Sequence, residues 1–340
     1  MTRLESIKGN VLEWLLEADS PGVRYLALRD LAGRSENDPE LKAACRAAHQ
    51  QGPIAKVLDA MSPEGYWVQP GAGYAPKYRG SVWAMILLAQ LGARIDQDER
   101  IATACQYMLE HALARQGQFS YNGAPSGTFD CLQGNLCWAL QELGCLDSRL
   151  DGAFEWMARS QTGNGIAPMT DKKAEVRFYT YKCGPNFECG ANNRQPCGWG
   201  AVKVMLAFSK LPPEKRTAEI NQAIQQGGDF LFSGDPAMAN YPTPEGQAPS
   251  HNWWKFGFPV FYVTDLLQNV EALAGLGYGN DPRLSRALEI IRDKQDADGR
   301  WAMEYDYTSK TWVNFGPKKR PNKWVTLRAL RVLKIAEQKL

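Results

Sequence analysis

Asp130 and Cys131 stand side by side at the head of an apolar run, and Cys183, Cys189 and Cys197 crowd the segment before the next such run. Three roles are open to these thiols. A cysteine near a helix N-terminus has a lowered pKa and can serve as nucleophile or as acid/base, and Cys131 and Cys197 are both placed for that effect. Cys183, Cys189 and Cys197 together with His251, or Asp130 with two cysteines and His251, form a donor set that zinc takes tetrahedrally. The five, seven and fifty-three residues between them match no standard zinc module. In the third role the thiols only pack and pin a long loop. The cofactor is therefore left unassigned; zinc would suit the donor set, and no nucleotide cofactor is expected.

Other groups fall in the same stretches. Asp265 heads a further apolar run, where it serves equally as a reacting acid or a helix cap, and Glu304 and Asp306 lie in the last long loop. Tyr78, Trp253, Trp254, Tyr305 and Trp312 are aromatic loop residues, expected to shape a pocket for a hydrophobic or ring-bearing ligand. Lys203 sits inside an apolar helix and must either snorkel or meet a buried carboxylate. Lys318, Lys319, Arg320 and Lys323 form a basic run that suits an anion or a solvated rim. His49 and His111 fall on amphipathic helices and are expected at the surface.

Apolar residues recur at three- and four-residue spacing outside the loops, with no convincing strand alternation. The pattern predicts less charged helices at 21–33, 81–92, 131–144, 199–211, 264–276 and 323–335. More amphipathic ones are predicted at 4–18, 38–50, 98–113, 147–160, 217–232 and 282–295. Gly33, Gly92, Gly144 and Gly277 are natural left-handed stops. Ser81 to Leu91 carries no charge and Cys131 to Gly144 only Glu142, so these helices are buried on most faces. Six buried helices inside six amphipathic ones make an all-α, closed (α/α)6 toroid. Its long loops (62–80, 114–130, 161–198, 233–263 and 296–322) then gather at one mouth, where function is expected.

A broken repeat supports this architecture. Trp67, Phe119 and Trp301 follow Gly-containing turns, and the clearest unit is Gln295-Asp296-Ala297-Asp298-Gly299-Arg300-Trp301. Such a period means stacked two-helix units that share a core. No linker divides the 340 residues, so one domain over 1–340 is expected: 1–60 closes the barrel and 61–340 carries the repeats. A net charge of +2 from 39 basic and 37 acidic residues gives no case for nucleic acid. No apolar stretch is long enough to span a membrane. Without a signal-like start, the eight cysteines are expected to be reduced in a cytoplasm.

Gln295 to Trp301 resembles the Gln-x-x-x-Gly-x-Trp repeats of the terpenoid cyclase and protein prenyltransferase superfamily. Gln116-Gly117-Gln118-Phe119 and Gln161 to Ile166 are degenerate copies. Asp130-Cys131-Leu132-Gln133-Gly134-Asn135 resembles a helix start of bacterial squalene-cyclase-like proteins, as does Phe258 to Leu267. Cys183 to Cys189 is loosely similar to the cysteine loop of linalool dehydratase-isomerase, another α/α toroid. The chain has no Asp-Asp pair, so the acid motif of squalene cyclases and the magnesium motif of ionising synthases are both missing. The Asp-x-Cys zinc motif of prenyltransferases is also absent, because Asp130 and Cys131 are adjacent.

The resemblance implies an enzyme acting on a terpenoid-like molecule in a central pocket, by acid/base or thiol chemistry, as a cyclase, isomerase, dehydratase or other lyase. Asp130, Cys131, Cys189, Cys197, His251 and Asp265 would carry the reaction. The alternatives are a zinc-dependent prenyltransferase-like enzyme and a non-catalytic toroid that binds a ligand or partner. A polysaccharide lyase or glycosidase shares the architecture, but no facing carboxylate pair is evident. A homodimer is compatible with the exposed aromatics.

Overall fold

The computed structural model describes residues 10–245 and 247–337. Its first helices are α1 (Val11–Leu15), α2 (Pro21–Leu26, extended by a π turn to Leu31), α3 (Pro39–Gln50) and α4 (Pro53–Asp59). Then come α5 (Ser81–Gln90), α6 (Glu99–His111), α7 (Asp130–Leu143) and α8 (Ser148–Thr162). The rest are α9 (Gly198–Lys210), α10 (Ala218–Leu231), α11 (Leu266–Leu273), α12 (Ser285–Asp293) and α13 (Lys323–Glu337). The all-α reading stands. Of the helix predicted at 4–18, residues 4–9 lie outside the described residues. The seven-residue α4 is too short for its period to announce it; Pro53 after Gly52 starts it, and Ile54, Val57 and Leu58 bury its one apolar face.

Alternate helices pack side by side. α7 lies between α5 and α9, α11 between α9 and α13, and α13 reaches α2. Gly92, just after α5, abuts Leu26 of α2: a Cβ there would stand 2.6 Å from Leu26 Cδ2. On the flanks, α3 packs on α2, α6 on α5, α8 on α7, α10 on both α8 and α9, and α12 on α11. Gly134 sets the closest approach, since a Cβ on it would fall 2.3 Å from the Lys203 carbonyl carbon. Only a residue without a side chain lets the backbones of α7 and α9 meet there. The four predicted glycine stops all have positive φ, from 63° to 100°.

The repeat has a mechanical meaning. Trp67 and Trp301 are buried, and their indole N–H groups donate to Val57 O and Ile291 O, both at 2.7 Å. Each also donates its backbone N–H to a hydroxyl in the first turn of the next helix, Trp67 to Ser81 Oγ at 3.0 Å and Trp301 to Thr326 Oγ1 at 2.9 Å. Phe119 does the same to Gln133 Oε1 on α7. Every closing aromatic thus locks one helix to the start of another. Thr326→Val keeps the shape but strands the buried Trp301 N–H. Urea unfolding is expected to show a loss of about 1–3 kcal/mol; an unchanged midpoint would refute the lock.

Two findings correct the sequence reading. His49 is buried rather than exposed: Nδ1 pairs with Cys45 O at 2.8 Å, and Nε2 accepts the Arg94 N–H at 3.1 Å. It joins α3 to the turn after α5, and burial lowers its pKa. The second correction concerns the centre. Phe258 and Phe261, from the loop between α10 and α11, are buried among the helices that face one another. Phe258 stacks on Trp324 at 4.7 Å and Phe261 meets Trp83 edge-on at 5.5 Å. Between them, Val260 exchanges two 2.7 Å hydrogen bonds with the Gln90 side chain. Phe258 and Phe261 thus occupy space expected to hold a central apolar pocket, and a cavity of about 40 Å3 lies beside Phe258 and Trp324. No helix among the described residues is long and apolar enough to cross a membrane.

Candidate active site

Asp130 opens α7 with its side chain 3% exposed. Oδ1 accepts from Gln161 Nε2 at 2.9 Å, whereas buried Oδ2 has no partner among the described residues. Gln161, in the last turn of α8, also accepts the Phe187 N–H at 3.0 Å through its oxygen. One amide therefore fixes the carboxyl and the cysteine-bearing loop together. Burial drives the Asp130 pKa well above the usual carboxylate range, and the nearby Cys189 charge adds to the rise.

The thiols converge on it from the loop between α8 and α9. There β1 (Glu188–Cys189) pairs antiparallel with β2 (Gln195–Pro196) in a short hairpin, a small strand element that the sequence pattern does not show. Cys197 caps α9, its Sγ accepting the Gly200 N–H at 3.5 Å. A Cβ on Gly200 would lie 3.2 Å from Asp130 Cβ and 3.8 Å from Cys197 Cβ, so the two helix starts nearly touch. Cys189 lies beside Cys197, and its pKa is lowered to about 6 by that neighbour, by the backbone N–H groups of Ala191 and Asn192 and by Lys182. Cys189 and burial push Cys197 the opposite way. Cys131 is raised to about 12 by burial and by Asp130. Cys183 is buried with Trp156, Ile166 and Phe178 in a small separate core under the loop, and its pKa is also raised by burial. The arrangement sets one thiol whose pKa is lowered beside three thiols and a carboxyl whose pKa values are raised.

A second polar cluster lies beyond Lys203. The Lys203 ammonium is 1% exposed and donates at 2.5 Å to both Phe261 O and Gln268 Oε1; burial lowers its pKa to about 7. It neither snorkels nor bonds a carboxylate, but it feels the charges of Asp265 and Cys131 and so stands between the clusters. Asp265 is fully buried; it caps α11 by accepting Gln268 N–H at 2.9 Å and pairs bidentately with Arg328 at 3.0 Å and 3.0 Å. Tyr305 Oη lies 3.5 Å from Asp265 Oδ2, and its own pKa is raised by burial and by that carboxylate.

The aromatic residues divide. Tyr78 lies 4.7 Å from Tyr307 and 5.5 Å from Phe261 by ring centroids, and Tyr74 lies close enough to Cys131 to feel its charge. Burial raises both phenols to about 12. Trp253 and Trp254 instead pin the loop, donating to Pro236 O at 3.0 Å and Ala237 O at 2.7 Å. Trp312 sits under the Arg79 guanidinium, 4.7 Å from its ring. His251 is exposed. Among the described residues, no three His, Cys, Asp or Glu side chains come together as a metal-holding group. Lys323 leaves the basic run to pair with Glu17 and Asp19.

Sequence reasoning missed Gln161 and Arg328. Arg328 had a readable signal, a lone charge within the apolar run Trp324 to Leu330, the same signal that marks Lys203. Gln161 lay in view as a degenerate repeat position, but nothing in its spacing connects it to Asp130.

No protein-family profile matches the chain. It is similar to the solved apo structure of the type II terpene cyclase MstE from Scytonema, at 14% identity over 87% of this chain and 97% of that one. The TM-score is 0.31. A likeness that loose carries no argument about chemistry, so the functional reading rests on the side chains.

Proposed function

We propose that this chain is an acid/base enzyme that removes or adds water at, or shifts a double bond in, a small hydrophobic molecule of terpenoid type. The reading is supported by the pairing of a buried carboxyl, its Oδ2 without a partner among the described residues and its pKa raised by burial, with a neighbouring thiol whose pKa is lowered. Two groups whose surroundings drive their pKa values apart make an acid and a base at one pH. In the dehydrating direction, Asp130 Oδ2–H protonates the substrate hydroxyl, the C–O bond breaks and water leaves. Cys189 takes a proton from the adjacent carbon, whose electron pair becomes the new double bond. Proton return from Cys189 to Asp130 resets the site, and the reverse sequence hydrates. Cys197 tunes Cys189, Gln161 holds Asp130, and Tyr74 with Tyr78 supplies ring faces for positive charge on carbon. Lys203 and the Asp265–Arg328–Tyr305 group stiffen the adjoining wall.

The helix contacts support, in the same proposal, one domain in which α2, α5, α7, α9, α11 and α13 form the inner ring of a toroid. The filled centre favours a second reading, a toroid that binds without turnover. Incubation with unsaturated terpenoid alcohols in deuterated water separates the two. The enzyme reading expects deuterium at carbon next to the double bond in product or recovered substrate. Binding without incorporation across linear and cyclic alcohols would favour the second reading.

A further inference from the structure

The end of the helix bundle away from Asp130 and Cys189 holds a cavity of about 460 Å3, within the range of small-molecule sites. It lies among the last turns of α7, α9 and α13 and the turn after α5, and its wall is charged. Five cations line it against three carboxylates. Asp30 serves two guanidiniums at once, taking Arg29 Nε at 2.6 Å and Arg331 Nε at 2.9 Å. Lys334 donates to the carbonyls of Asp30 and Leu31 at 2.7 Å and 3.2 Å, so its charge is met only by neutral acceptors. Lys210 stands 3.9 Å and 3.6 Å from Glu142 and Glu271, beyond hydrogen-bond reach of either. Arg94 pairs with Asp96, an exposed carboxylate that is not part of the wall.

Cations capping helix C-termini explain Lys334, which bonds terminal carbonyls. They do not explain Arg331 or Arg94. Among the described residues the terminal nitrogens of both guanidiniums have no hydrogen-bond acceptor, although Arg331 is only 22% exposed. Each guanidinium meets a carboxylate only through Nε, which leaves its terminal nitrogens open to a ligand, and a planar donor fork suits oxyanions.

We propose that this cavity is a binding site for a small multivalent oxyanion, a phosphate or a short di- or tricarboxylate, gripped by Arg331, Arg94 and Lys334. It is separate from the acid/base site and does not depend on that reading. Calorimetric titration of the full chain with inorganic phosphate, pyrophosphate and citrate, each alone, tests it and tells phosphate from carboxylate. The expected result is saturable one-to-one binding of at least one probe, weakened roughly tenfold or more by Arg331→Met. Arg94→Met should weaken it too, which keeps the test decisive if Arg331→Met fails to fold. Lys318→Ala, in the exposed basic run at the other end, should leave it unchanged. Failure of all three probes to bind at millimolar concentration would overturn the proposal, as would binding lost in Lys318→Ala but kept in Arg94→Met.

Discussion

Asp130→Asn is expected to lower turnover by about 10²–10⁴-fold while leaving the fold as stable as the parent or more so. Asparagine keeps the shape and still accepts the Gln161 N–H at Oδ1, but it has no acidic proton to give. The stability side follows from linkage. Burial raises the folded-state pKa of Asp130 above its unfolded value, so the native state binds this proton more tightly than the unfolded chain. That contribution is complete below the unfolded value of about 4 and is lost as pH climbs through the raised folded value. The Asn variant has no such proton, so its stability relative to the parent should grow from acid toward alkaline pH. Urea midpoints at several pH values, beside turnover of the same samples, read both effects. A variant that loses stability and turnover together would make Asp130 a structural residue.

Arg328→Met should be the most damaging change to the fold itself, at about 3–5 kcal/mol. Methionine fills much of the volume but leaves Asp265 buried and without its bidentate partner, and removes the 2.6 Å donation to Gly257 O. The double variant Asp265→Asn/Arg328→Met should recover part of that loss, because the stranded charge is gone. Equal losses in the single and double variants would show that the side-chain volume of Arg328, not its charge, matters there.

How legible this was depends on the range of the interaction involved. The helices were readable because helical periodicity and glycine stops are local. The closing aromatics were readable as a repeat, although their hydroxyl anchors at Ser81 and Thr326 were not. Asp130 and the loop cysteines stood out because chemistry-bearing residues are rare in apolar surroundings. Their convergence depends on Gly134 and Gly200, which bring α7 against α9, and no sequence spacing encodes that approach. His49 misled because it sits in a helix whose other polar residues are exposed; its burial comes from the Arg94 backbone 45 residues on. The filled centre was also invisible, since Phe258 to Phe261 reads equally as a pocket lining or as a plug.

The account stands on Cys189 being ionised beside a protonated Asp130. Ultraviolet thiolate absorbance of the folded protein, titrated over pH and corrected with Cys189→Ser, measures this directly. The account predicts a Cys189 midpoint of about 6 that moves upward in Cys197→Ala, which removes the neighbour chiefly responsible for the low value. A midpoint near the ordinary thiol value of about 8.5, unmoved by Cys197→Ala, would contradict it.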